Sequence, residues 1–312
     1  MTTRTLRFIV ATICLMLGVV WFVNSDGRRA SDKAFGRYDR TVLPEASGLA
    51  RSRKNVGVFW THNDSGSAPI LYATTARGRL LAEIELLGAS SVDWEAVAAD
   101  DRGSLYIADF GNNGNHRRNL SIHVISEPKI QSTADEVIRM AIPVHRSIQF
   151  RYPDQTAFPP KMRNYDAEAL FWGPSPKLGR PTLFLLTKHR SDRRTKLYRF
   201  DSVDGQRDSQ ALTLVAETDL KGDLKGRGLV TGAAIHDDGR RIAVLTYYAI
   251  YIFQRSIKGD DYLAELLSTI ELNLDEMKQV EAISWVGHSL FVSNEQAEIF
   301  LIDNPMKQVR FP

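Results

Sequence analysis

A five-bladed β-propeller, an all-β fold, is what this sequence of 312 residues predicts, on three observations. A short acidic or alanine-rich segment recurs as Glu45-Ala46-Ser47-Gly48-Leu49, Asp93-Trp94-Glu95-Ala96-Val97, Asp166-Ala167-Glu168-Ala169-Leu170, Thr231-Gly232-Ala233-Ala234-Ile235 and Glu281-Ala282-Ile283. The copies lie about fifty to seventy residues apart, the scale of a propeller blade. Each copy is followed by a β-rich run, a polar cluster and a second β-rich run, in blocks rich in Val, Ile, Leu, Phe and Tyr bounded by turn residues. Helical periodicity is nearly absent beyond the N-terminal apolar segment; the best candidate, 274–280, is shorter than two turns.

Residues 1–25 read as a signal peptide or an uncleaved signal anchor. Arg4 and Arg7 form a basic start, Phe8 to Val23 carries no charge, and Asn24-Ser25-Asp26-Gly27 follows, with cleavage expected after Ser25. The apolar run is at the short limit for a membrane-spanning helix, and either outcome exports the domain to the periplasm or beyond, or holds it at the inner membrane. Cys14 lacks the flanking residues of a lipoprotein box. Residues 26–37 form a polar linker, and 38–312 make up the propeller, beginning with a candidate strand at 38–42.

The first repeat gives strands at 46–50, 58–61, 70–74 and 80–86, with turn signals such as Asp64-Ser65-Gly66 between them. The second gives 95–99, 105–108 and 121–125, with an outer strand expected within 137–142; residues 146–162, with Pro153, Pro159 and Pro160, read as an extended connection. The third gives 168–172, 182–187, 197–200 and 212–216, and the fourth 232–236, 242–246, 250–253 and 266–272. The fifth gives 281–285, 290–293 and 299–302 and then lacks an outer strand. The spare strand at 38–42 supplies it, closing the ring and removing two exposed edges. Six blades is the alternative, if the connection after 142 hides a degenerate repeat.

The composition, 43% hydrophobic and 25% charged, suits a globular domain with a sizeable core. A formal net charge of +3 argues against a nucleic-acid binder. The only cysteine is Cys14, so the domain has no disulfide, cysteine nucleophile or Cys-based metal site. A monomer is expected.

Propeller inner strands crowd around the axis, and packing there accounts for the alanines: Ala46, Ala96, Ala169, Ala233 and Ala282. The acids are not explained by packing, because Glu45, Glu95, Glu168 and Glu281 would be drawn toward one axis, where like charges and burial raise their pKa values. Such a cluster calls for a cation, a basic partner or water. Polar clusters after the second strands share that rim: His62-Asn63-Asp64, Asp109-Phe110-Gly111-Asn112-Asn113, Lys188-His189-Arg190, Tyr247-Tyr248 and Asn294-Glu295. Carboxylate and amide oxygens suit Ca²⁺ rather than Zn²⁺. The alternative is that these groups cap strand ends, with water filling the tunnel.

The segments PEASGL, HNDSG, DWEAVA, LYIADFGNN, DAEAL and VTGAAIHDDGRRIAV together resemble an exported bacterial propeller family grouped with the phytase-like, gluconolactonase-like and NHL-type propellers, over residues 39–303. Enzymes of that wider group hold an axial Ca²⁺ with Glu, Asp and Asn. The resemblance therefore implies Glu45, Asp64, Glu95, Asp109, Glu168 and Glu281 as candidate ligands, with Gly232 interrupting the acidic ring in the fourth repeat.

His62 and His189 are candidate general bases beside such an ion, or hydrogen-bonding rim residues. His62, Asp64 and Ser65 are too close in sequence to converge as a triad, and no G-x-S-x-G, H-E-x-x-H, P-loop or EF-hand pattern is present. The basic run 188–196 reads as a solvated hairpin loop that could attract anionic groups. Two functions follow: a propeller binding a small molecule or protein at its rim, or a Ca²⁺-dependent hydrolase of esters, lactones or phosphoesters.

Overall fold

The computed structural model describes residues 33–131, 136–192, 194–205, 209–220 and 228–308. The segment expected to be a signal peptide or anchor, and most of the linker, lie outside the described residues. No helix among the described residues is long and apolar enough to cross a membrane.

Strand β1 (Gly36–Arg37) is a short piece whose partner comes at the far end of the chain. Blade 1 follows as β2 (Ala46–Arg51), β3 (Val58–Asn63), β4 (Ile70–Thr75) and β5 (Leu80–Leu87). Blade 2 opens with β6 (Trp94–Ala99), β7 (Ser104–Asp109) and β8 (Ser121–Ser126). The chain then turns back. Strand β9 (Ile138–Pro143) lies parallel to β5 as a fifth strand of blade 1, and β10 (Arg146–Arg151) pairs with β8 to extend blade 2. Blade 3 contains β11 (Asp166–Ser175), β12 (Arg180–Lys188) and β13 (Arg194–Arg199). The two-residue β14 (Gln210–Ala211) pairs parallel to β10, and β15 (Thr213–Asp219) completes blade 3. Blade 4 is β16 (Val230–Ile235), β17 (Arg241–Thr246), β18 (Ala249–Gln254) and β19 (Glu265–Glu271). A single turn, α1 (Leu274–Met277), capped by the Asn273 side chain, leads to blade 5: β20 (Val280–Val286), β21 (Ser289–Asn294) and β22 (Glu298–Ile302).

The inner strands β2, β6, β11, β16 and β20 touch in that order, and β20 touches β2. The ring thus has five blades rather than six. It is closed by β1 pairing antiparallel with β22 as the outer strand of blade 5. The closing strand lies at Gly36–Arg37 instead of 38–42, where Asp39 accepts the backbone N–H groups of Val42 and Leu43 and folds the chain into a turn. Residues 137–142 do not form the outer strand of blade 2; β10 takes the place beside β8, so the supposed extended connection begins as a strand.

The apolar core is five slabs, each between neighbouring blades. Alternation along a strand feeds both sides: in β6, Trp94 and Val97 pack toward blade 1, while Ala96 and Ala98 pack toward blade 3. Tryptophans fill these slabs, with Trp60 and Trp94 fully buried and Trp172 stacked on Tyr106 at 5.6 Å between centroids. Truncating such a residue to Ala costs about 3–5 kcal/mol, because rigid blades cannot collapse into the void.

Candidate functional site: the axial mouth

Each inner strand slips register against its neighbour near its N-terminal end. The slip falls between Trp94 and Ala96 in β6, Ala167 and Ala169 in β11, Val230 and Gly232 in β16, and Val280 and Ala282 in β20. A bulge leaves one residue outside the ladder and re-aims its side chain. Those residues are Glu95, Glu168, Thr231 and Glu281. The fourth repeat is therefore out of step with the sequence reading: Thr231 stands at the acidic position, and Gly232 replaces the alanine. The first repeat shifts as well. Ala46 faces Asn63 as Val280 faces Asn294, but Ser47 stays in the ladder opposite His62 and the slip comes later, between Ser47 and Ala50, at Gly48-Leu49; Glu45 lies before the strand, exposed. The bulge positions thus carry an acid in three blades, a hydroxyl in the fourth blade and no polar side chain in the first.

The acids nevertheless share one mouth. Glu95 is acted on by Glu168 and Asp64, Glu168 by Glu281, and Glu295 by Asp64 and Glu45. The mouth has two unlike halves.

On the blade 3 side, Lys188 is only 3% exposed and donates to Glu168 Oε1 at 2.9 Å and to Tyr247 Oη at 3.0 Å. Arg190 donates to Asp166 Oδ2 at 2.7 Å and lies 3.7 Å from Glu168 Oε1. Burial pushes Glu168 up against the pull of Lys188. Burial would lower Lys188, but Glu168, Tyr247 and Glu281 raise it, so the lysine keeps its charge. Lys188 is consequently an axial residue rather than the start of a solvated loop. Glu281 is raised to about 7, chiefly by burial, and Gln279 Nε2 donates to both Glu281 and Glu295.

On the blade 1 and 2 side, Asp64, Asp93 and Glu95 bring one carboxylate oxygen each within 4.8 Å of one another. Burial above all raises Glu95 well above its ordinary value, and the four charged groups acting most on it, Glu168, Asp64, Asp93 and Asp166, are all acids that push the same way. Asp93 is raised to about 6, mainly by burial and then by Asp64 and Asp166. Gly111 makes room for this trio: its N–H donates to the Asp93 carbonyl, and a Cβ there would come within 2.4 Å of both Asp93 Oδ2 and Glu95 Oε1. A pocket of hard anionic oxygens, with a backbone stripped of side chain beside it, fits a divalent cation of the Ca²⁺ type.

Of the six ligand candidates, Asp64 and Glu95 belong to this trio. Glu168 is committed to Lys188, Glu281 shares the Gln279 amide with Glu295, and Glu45 stands before the first residue of β2. Asp109 is fully buried and holds the adjoining loop: it accepts from Ser90 Oγ, the Asp93 N–H and Arg117 Nη2 at 2.6, 3.0 and 2.8 Å. Burial works to raise Asp109, but Ser90 and Arg117 outweigh it and hold the carboxyl below its usual range. Asp93 was not among the ligand candidates of the sequence reading, although it belongs to the DWEAV segment, and Tyr247 was placed on the rim only as part of the Tyr247-Tyr248 cluster.

The two histidines sit in separate blades. His62 is buried edge-on to Trp94, its Nδ1 donates to the Asn63 carbonyl at 3.0 Å, and burial drives its pKa down to about 4. His189 Nδ1 donates to Asp192 at 2.8 Å, and burial likewise lowers its pKa. Both Nε2 atoms lack a hydrogen-bond partner among the described residues.

No protein-family model and no curated protein matches the chain. Solved structures similar to it are propellers and enzymes. Virginiamycin B lyase from Staphylococcus aureus shares 12% identity at a TM-score of 0.40, over 82% of this chain and 66% of that one. The Dos1 propeller shares 11% at 0.41, over 90% and 67%. The PQQ-bound aldose sugar dehydrogenase from Streptomyces coelicolor shares 11% at 0.44, over 86% and 78%. The chain thus spans about two thirds of the first two.

Proposed function

We propose that this is a ligand-binding propeller acting outside the cytoplasmic membrane, whose axial mouth takes a Ca²⁺-type cation on Asp64, Asp93 and Glu95 and an anionic ligand between that ion and the Lys188–Arg190 side. One observation carries the reading: three carboxylates meet within 4.8 Å, and the charged groups acting most on Glu95 are themselves acidic. Gathering such charges raises the energy of the apo protein, and a divalent cation removes that cost. Lys188 and Arg190 give the opposite half its cationic character, and the oxygen-only donor set favours Ca²⁺ over Zn²⁺. Thermal unfolding with added Ca²⁺ and with EDTA tests the reading. A ligand held only by the folded state at a hundred times its Kd adds about 2.7 kcal/mol. Identical melting in both conditions removes it.

A second reading, a cation-assisted hydrolase of esters, lactones or phosphoesters, is favoured by Glu281. This carboxyl is raised to about 7, close to the value that suits a general acid or base at neutral pH. A bound cation would polarise the substrate oxygen, while Glu281 would hold or release the proton. A screen of lactones, aryl esters and phosphoesters decides between the readings: turnover that Glu281→Gln abolishes selects the hydrolase, and none in either protein rejects it.

A further inference from the structure

The inner strands have a second set of ends, opposite the acidic mouth. There the tunnel ends in an open recess lined by residues of all five inner strands. Its lining side chains are mostly apolar, with Leu49, Val97, Leu170, Ile235, Trp172 and Trp285 contributing beside exposed polar groups, and axial alanines such as Ala98 and Ala234 leave the space. Its charged lining residues are Arg51, Arg53 and Asp237, an excess of one positive charge. Arg51 Nη2 and Arg53 Nη1 reach the same oxygen, Asp237 Oδ1, at 2.5 and 3.1 Å. Arg51 belongs to blade 1 and Asp237 follows β16 of blade 4, so this clasp joins blades that are not neighbours in the ring. Trp285, also on the wall, keeps a buried indole N–H without an acceptor among the described residues.

We infer that this second mouth binds a small apolar carboxylate, its chain among the axial apolar residues and its carboxylate on Arg51 and Arg53. Asp237 is the internal stand-in: it shows that a carboxylate fits both guanidiniums, and it uses one oxygen and one N–H from each arginine, leaving most of their donors open. Apolar side chains around a few convergent polar groups are the usual lining of a small-ligand site. The chemistry is the reverse of the first mouth, so the site stands independently of the cation reading.

The test is a titration of the full chain with hexanoate and with hexan-1-ol, followed by tryptophan fluorescence, since Trp172 and Trp285 line the recess. Saturable binding of hexanoate is expected, with hexan-1-ol and the Arg53→Gln variant each weaker by about fivefold, the worth of one partly exposed charged contact. Asp237→Asn removes the competing carboxylate and is expected to bind hexanoate more tightly. Glu95→Gln, at the other mouth, leaves hexanoate binding unchanged whatever becomes of the cation site. No saturable signal, equal affinity for acid and alcohol, or indifference to both Arg53→Gln and Asp237→Asn overturns the inference.

Discussion

The two halves of the acidic mouth are built on the same strand bulge yet handle charge in opposite ways. Glu168, only 4% exposed, is met by Lys188 and by Arg190 within its own blade. Glu95, 6% exposed, meets Asp64 and Asp93 instead. Backbone geometry therefore places a carboxylate at the axis, and the residue ending the neighbouring strand decides whether it is neutralised from within. Beside Glu168, β12 ends on Lys188; beside Glu95, β7 ends on Asp109, which is taken up by Ser90 and Arg117, and the loop beyond it supplies Gly111, which adds only space, while Asp64 follows β3 of the next blade.

Breaking the compensated half should have the largest effect. Lys188→Met leaves Glu168 buried without its cation, and such breaks cost about 3–5 kcal/mol. Urea unfolding at neutral pH measures this. The double variant Lys188→Met/Glu168→Gln should recover most of the loss, and a single-variant loss matching that of the double would show the pair to be uncoupled.

A smaller effect is expected from filling the space in the uncompensated half. Gly111→Ala drives a methyl group against Asp93 and Glu95 and should weaken Ca²⁺ binding about tenfold, or about 1.4 kcal/mol. Calorimetric titration reports it, and unchanged affinity would separate Gly111 from the site.

The smallest effect is in pH dependence without divalent ions. Asp93 has a folded pKa of about 6 against an ordinary 3.8, so the folded state holds its proton more tightly. That contribution is complete below the unfolded value and is lost as pH rises through 6. In EDTA, the protein should thus gain stability between pH 7 and pH 5, by about 1 kcal/mol from Asp93 after allowance for its partial exposure. Urea midpoints in wild type and Asp93→Asn check the sign; a flatter profile in the variant is expected, and a steeper one would contradict it.

Much of the architecture was legible because it follows from local patterning: turn residues between β-rich blocks, a missing final strand and a spare one at the start. The placement of residues 137–142 was not, since pairing parallel to β5 rather than beside β8 depends on a long-range choice. Register was the other blind spot. In Thr231-Gly232-Ala233-Ala234 either step aligns a small residue with the other alanines, and only pairing with Leu245 distinguishes them. The candidate site was half visible. Glu95 and Asp64 stood out as acids in repeated segments, but Asp93 joins them only because the loop at Gly111 lets it fold inward. Lys188 was read both as part of the rim cluster Lys188-His189-Arg190 and as the start of the run KHRSDRRTK, where composition signals solvent, and only the strand end of β12 decides between them by turning this lysine to the axis.

The most direct measurement is the Ca²⁺-induced rise in unfolding free energy, compared between Glu95→Gln and Glu168→Gln. If the blade 1 and 2 half holds the ion while the blade 3 half is neutralised internally, Glu95→Gln loses most of that rise and Glu168→Gln keeps it. Equal losses, or loss in Glu168→Gln alone, would contradict this division of the mouth.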